Sequence, residues 1–225
     1  MSGKSVSRRT FLKAAGFTLG AGTLACAGIG YAASQIEPAP QSAPAKEVET
    51  PAFHYGKDAN MSKNILVAYA TRTGSTVGVA SAIGETLAAR DYRVDVKPFK
   101  DNPAVDGYQA VVLGSAINGA QWLPEAAQFV KDHQAALQNV PVALFCVHIM
   151  NLGDDEKSRA KRLAYLDPIR QVVQPADEAF FTGMGMDPKE DSAIVRWAAR
   201  LFGITQEGDC RDWTKIRGWA ETVFA

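Results

Sequence analysis

Three short stretches concentrate the residues able to hold a small ligand. The first is Thr71-Arg72-Thr73-Gly74-Ser75-Thr76, where four hydroxyls, a guanidinium and a glycine occupy six positions. Hydroxyls and backbone N–H groups in such a loop can converge on one anion, and a helix starting there adds unpaired donors and partial positive charge. That is the chemistry of a monophosphate cradle. The Gly-Lys pair of a triphosphate loop and a Gly-x-Gly-x-x-Gly run are both missing from it. The same residues also suit an ordinary strand-to-helix turn with Ser/Thr capping. The second stretch is Ser115-Ala116-Ile117-Asn118-Gly119-Ala120-Gln121-Trp122. Its small residues permit close backbone approach to a flat ring. Ser115 and Asn118 offer polar groups to ring edges, and Trp122 offers either an aromatic face or plain core packing. The third stretch, His148 to Gly153, places an imidazole beside the same prospective pocket.

Other chemistries find little support. His54, His133 and His148 are scattered, and Cys26, Cys146 and Cys210 lack metal-ligand or disulfide-framework spacing. No nucleophile, base and orienting acid fall together. With 24 basic and 24 acidic side chains the formal net charge is +0, which removes the bulk electrostatic case for nucleic acid or an anionic membrane.

The elements that must position these loops follow from hydrophobic pattern. Ile65 to Ala70, Ala110 to Gly114 and Val142 to Val147 are continuous apolar runs, as expected of strands buried on both faces. Arg93 to Lys97 alternates, and Glu178 to Thr182 is a short last strand. Val77, Ala80, Ile83 and Leu87 recur at helical spacing. Pro124 to Leu137 and Asp154 to Val173 are predicted helical, the latter with a solvated charged face. A final helix from about Asp212 should bury Trp213, Ile216, Ala220, Val223 and Phe224. Strands alternating with helices call for a parallel sheet covered on both faces. Five strands suit a doubly wound α/β domain in the order 2-1-3-4-5, with the ligand at the carboxyl ends.

The segment Ile65 to Thr76 resembles the FMN-phosphate signature of flavodoxins. Asp106-Gly107-Tyr108 through Gly119, Glu125 to His133, and Asp209-Cys210-Arg211-Asp212-Trp213 with Ile216 and Trp219-Ala220 are similar to the menaquinone-dependent protoporphyrinogen dehydrogenase branch of flavodoxin-domain proteins. The resemblance implies a flavodoxin-like fold and non-covalent FMN. It also implies that Thr71, Arg72, Thr73, Gly74, Ser75 and Thr76 hold phosphate. Ser115, Ala116, Ile117, Asn118, Gly119 and Trp122, with His148 and Asn151, would lie against the ribityl chain and ring. One departure is the stretch Gly183 to Gly208, acidic at its start where that branch is basic and aromatic. Within it Ile194, Trp197, Ala198 and Leu201 share one helical face. That face either packs on the domain itself or docks a lipid-soluble quinone or membrane-bound partner.

The first sixty residues have a different character. Ser7-Arg8-Arg9-Thr10-Phe11-Leu12-Lys13 resembles a twin-arginine export signal, followed by a small apolar stretch from Ala14 to Ala33. This predicts a periplasmic or extracytoplasmic address. The leader is either cleaved near Tyr31-Ala32-Ala33 or retained as a membrane anchor. Residues 34–61 read as a Pro-rich linker and 62–225 as the FMN-binding domain. The expected function is an exported FMN-dependent oxidoreductase coupled to a quinone or another redox partner, and the resemblance implies a relation to protoporphyrinogen oxidation. The alternatives are an electron carrier with no substrate of its own and a flavodoxin-fold module that has lost FMN.

Overall fold

The computed structural model describes residues 48–56, 63–187, 189, 191–201 and 204–225. The export segment, residues 1–33, lies outside the described residues.

The continuous apolar run after Lys63 forms β2 (Asn64–Ala70), following a short β1 (Phe53–Tyr55). Both faces of β2 are buried, and its side chains divide by parity. Ile65, Val67 and Tyr69 enter one apolar cluster; Leu66, Ala68 and Ala70 enter the other. A strand sealed on both faces has no use for polar alternation. The remaining strands are β3 (Arg93–Pro98), β4 (Ala110–Asn118), β5 (Gln121–Trp122), β6 (Val142–His148) and β7 (Asp177–Thr182). Their order is β1-β3-β2-β4-β6-β7, with β5 paired to β4 alone. The five parallel strands β3-β2-β4-β6-β7 reproduce the expected 2-1-3-4-5 winding.

Helices cover both faces. α1 (Ser75–Ala88) crosses from β2 to β3, and α7 (Trp213–Thr222) lies against it on the Ile65 face. The other face is covered by α2 (Pro124–Asp132) and by the segment from the short α3 (Gln134–Leu137) to α4 (Glu156–Leu163) and α5 (Asp167–Arg170). α6 (Ala193–Leu201) lies in the stretch after β7. Among the described residues no helix is long and apolar enough to cross a membrane.

Four details depart from the sequence expectation. β1 lies inside the stretch read as linker. It pairs antiparallel with β3, and Tyr69 OH donates to the Pro51 carbonyl at 2.8 Å, so residues 51–55 are attached to the sheet although they precede Ser62. The helix expected over Asp154 to Val173 is broken into α4, a 3-10 turn at Ala164–Leu166, and α5, whose second residue is Pro168. The final helix buries Ile216, Ala220 and Val223. Trp213 stays 37% exposed at the start of the helix, with the Arg211 guanidinium stacked on its indole, 4.4 Å from the ring centroid. Finally, β4 continues past Gly114, where a Cβ would collide with the Phe145 ring, and turns back on β5 at Gly119-Ala120.

Candidate functional site

At the carboxyl ends of the parallel strands lies a cleft of about 420 Å³. Four strand ends contribute to it. The loop after β2 supplies Arg72, Thr73 and Ser75, and the end of β4 supplies Ala116 and Ile117. β6 brings Val147, His148 and Ile149, and the segment after β7 brings Gly183 to Asp187 with Asp191. This is the switch region of a doubly wound sheet, where β2 is flanked by strands reached through crossovers of opposite sense.

The first loop is built to present donors. Gly74 adopts φ 88°, the left-handed region glycine enters without penalty, and turns the chain sharply into α1. Thr71 Oγ1 accepts from Gly74 N at 3.0 Å and so holds the turn from inside. No side chain caps α1 and no carboxylate stands in its first turn, so the positive helix end is left open. Thr76 Oγ1 is sealed from solvent and has no hydrogen-bond partner among the described residues. A buried hydroxyl left unpaired costs about 1–3 kcal/mol; Thr76 follows the cleft-lining Ser75 in the chain and does not itself line the cleft. The Arg211 guanidinium, 15% exposed, donates to the Ser75 carbonyl at 3.3 Å and pairs with Asp209 at 2.7 Å. The C-terminal segment thus braces the cradle from behind.

The second loop is a correction. Asn118 and Gly119 sit exposed at the tip of the β4–β5 hairpin and do not line the cleft. Ser115 is fully buried; its Oγ accepts from Leu123 N at 3.0 Å and donates to the Ala116 carbonyl at 2.9 Å. Trp122, expected as a face for a ring, turns into the core and donates Nε1–H to Cys146 Sγ at 3.2 Å. The hairpin decides this: antiparallel pairing of Trp122 with Ile117 points the indole at the β6 side of the sheet. Only Ala116 and Ile117 of this stretch reach the cleft.

In the third loop His148 does line the cleft while remaining 5% exposed. Its Nδ1–H donates to the Met150 carbonyl at 2.8 Å, and its ring meets Tyr165 edge-on. Burial, with smaller contributions from the cations Arg162 and Lys215, pulls its pKa down to about 4. The neutral ring therefore offers Nε2 as an acceptor. Asn151 does not reach the cleft: its Nδ2 donates to Tyr165 OH at 2.6 Å and its carbonyl receives Arg162 Nη1. Arg162, expected on a merely solvated face, also holds the Gly153 carbonyl and so clamps the loop leaving His148.

A fourth wall was missed by sequence reasoning. Gly183-Met184-Gly185-Met186-Asp187 follows β7, and Gly185 N and Gly208 N bond back to the Gly208 and Met186 carbonyls, closing the excursion at its base. The signal was available. The rule that ligands sit beyond strand carboxyl ends applies to the last strand as to the first, and Gly-Met alternation marks close approach with soft apolar side chains.

A family model described as Flavodoxin domain matches residues 66–188, more than half of the chain. The protein named protoporphyrinogen IX dehydrogenase (quinone) from Leishmania major is 24% identical over 178 residues, covering 74% of this chain and 77% of that protein. The protein of the same name from Escherichia coli K12 is 28% identical over 87 residues, covering 38% of this chain and 48% of its own length, about half. Among solved structures, a flavodoxin from the domain Archaea is 21% identical with a TM-score of 0.40, over 52% of this chain and 82% of that one. The two-electron reduced Megasphaera elsdenii flavodoxin is 15% identical with a TM-score of 0.44, over 70% and 96%.

Proposed function

Because the chain belongs to the flavodoxin-domain family, whose cofactor is FMN, we propose that it is an exported FMN oxidoreductase that delivers electrons to a lipid-soluble quinone. At the family level the protein is a flavin-based electron-transfer protein.

The residues fit the cofactor. The orphaned Thr76 hydroxyl and the uncapped start of α1 suit a phosphate, and the cleft volume of about 420 Å³ falls in the ordinary range for small-molecule sites. Arg72, Thr73, Ser75 and Thr76 would hold the phosphate, with Thr71 and Gly74 shaping the turn. Ala116, Ile117, His148 and Met186 would flank the remainder. FMN supplies the electron and hydride chemistry when bound. The chain's own residues anchor it, exclude water and tune the surroundings. His148 stays neutral near pH 7, so it accepts a hydrogen bond without placing a charge in the cleft.

The observation that carries the quinone is the face of α6. Ile194, Trp197 and Leu201 are 78%, 65% and 66% exposed, on a helix that begins two residues after the cleft-lining Asp191. An exposed apolar stripe beside a redox cleft suits an apolar acceptor held in a membrane. Asp187 and Asp191 on the cleft wall also favour a neutral acceptor over an anionic one. The quinone in the names of the two relatives supports the same reading. The test is multiple-turnover reduction of a short-chain menaquinone analogue by the FMN-loaded full chain with an excess chemical reductant. Quinol should form well above the rate with free FMN. A rate no faster than free FMN, with electrons passing instead only to another redox protein, identifies a carrier and rejects the quinone assignment.

A further inference from the structure

Away from the FMN cleft, a second groove of about 340 Å³ runs along β7, the terminal strand of the sheet, between α4 and α7. Its floor is apolar. Phe181 and Trp219 meet edge-on at 5.8 Å and 70°, and Leu163 from α4 adds a side chain that is 50% exposed. The Trp219 indole Nε1–H is shut off from solvent and has no hydrogen-bond partner among the described residues.

The rim is cationic. Arg159, Arg162 and Lys215 all line the groove, and the carboxylate among the lining residues, Glu178, is already held by Arg170 through both oxygens. Arg162 is committed to the carbonyls of Asn151 and Gly153, and Lys215 Nζ donates to the Phe180 carbonyl at 3.1 Å, which leaves an ammonium further donors. Arg159 stands exposed on α4. The groove thus combines an aromatic and aliphatic floor with cations whose charge is not cancelled within it.

We propose that this groove binds an amphipathic carboxylic acid, its flat apolar body on Leu163, Phe181 and Trp219 and its carboxylate on Arg159 and Lys215. The site also communicates with the cleft. Arg162 clamps the loop that leaves His148, and Arg162 and Lys215 both act electrostatically on that imidazole. A carboxylate seated on Arg159 and Lys215 weakens the field of Lys215 at His148.

The probe is naphthalene-2-carboxylate, titrated into the FMN-loaded full chain and followed at the Trp219 indole N–H resonance, assigned with Trp219→Phe. Neutral naphthalene-2-methanol is the control. The carboxylate should shift the Trp219 resonance saturably and bind at least about tenfold more tightly than the alcohol, as a charge-assisted contact provides. Arg159→Gln and Lys215→Met should each remove most of that difference without changing alcohol binding or FMN content, and Arg159→Lys should restore part of it. Equal affinity for carboxylate and alcohol, no movement of the Trp219 resonance, or undiminished carboxylate binding in the folded Arg159→Gln protein would each overturn the assignment.

Discussion

Thr76 is the side chain on which the phosphate site can be tested most cleanly. Thr76→Val removes the hydroxyl and keeps the shape. In the flavin-free protein this deletes an unpaired buried group, so stability should hold or rise by about 1 kcal/mol in urea unfolding. In the FMN complex the same change removes a charge-assisted contact, roughly 1.5–3 kcal/mol, or at least about tenfold in affinity by fluorescence titration. Riboflavin, which has no phosphate, should lose much less; equal losses for the two ligands would contradict the cradle. His148 gives a pH prediction. Its pKa in the fold, about 4, lies below the ordinary 6.5, so the unfolded chain takes up the proton first as pH falls. The stability tied to neutral His148 is complete above pH 6.5 and is lost progressively towards pH 4, in total about 3 kcal/mol. Unfolding of His148→Gln should therefore vary less steeply with pH than wild type across that window. The Thr71–Thr76 turn was legible because hydroxyl, guanidinium and glycine chemistry is local. Trp122 was not: whether an indole faces a ligand or the core depends on a hairpin partner, and here that partner sends it to Cys146.

Among the elements, α6 is the one whose role the pattern left open. Of the two expectations for its apolar face, packing on the domain is the one that the exposure of Ile194, Trp197 and Leu201 speaks against. Trp197→Glu should accordingly change thermal stability by no more than about 0.5 kcal/mol, as for other surface positions, and leave FMN bound. Turnover with a lipid-soluble quinone should fall while turnover with a small water-soluble acceptor is kept. Loss of several kcal/mol of stability would return the face to the core. α6 also illustrates why helical periodicity is incomplete information. It reports that a stripe exists, and the stripe's partner is a matter of where the Gly183–Asp209 excursion is pinned. β1 was overlooked for a related reason: three residues between prolines and polar side chains carry little pattern, and the strand exists because β3 offers an unpaired edge and Gly84 leaves room for Tyr55.

For the whole molecule, the export proposal rests on Ser7 to Lys13 and is tested in cells. Replacing Arg8 and Arg9 by lysine should retain the protein in the cytoplasm, FMN already bound, since the twin-arginine route carries folded cargo. Unchanged periplasmic yield would reject that route. The winding itself was readable from the chain. Three apolar runs too continuous to be half-exposed had to be central parallel strands, and the helices between them fix the crossovers. From that winding follows the end of the sheet at which the cleft lies, and with it the place of the Thr71–Thr76 turn. Tertiary structure alone decided the walls of the cleft. Which of Ser115 to Trp122 faces it, that the segment after β7 closes it, and that Arg211 braces α1 from 136 residues away are outcomes of long-range packing. Local pattern encodes how a segment buries its own apolar surface. It does not encode which distant segment arrives to share a boundary, because that is settled by the summed fit of the whole core.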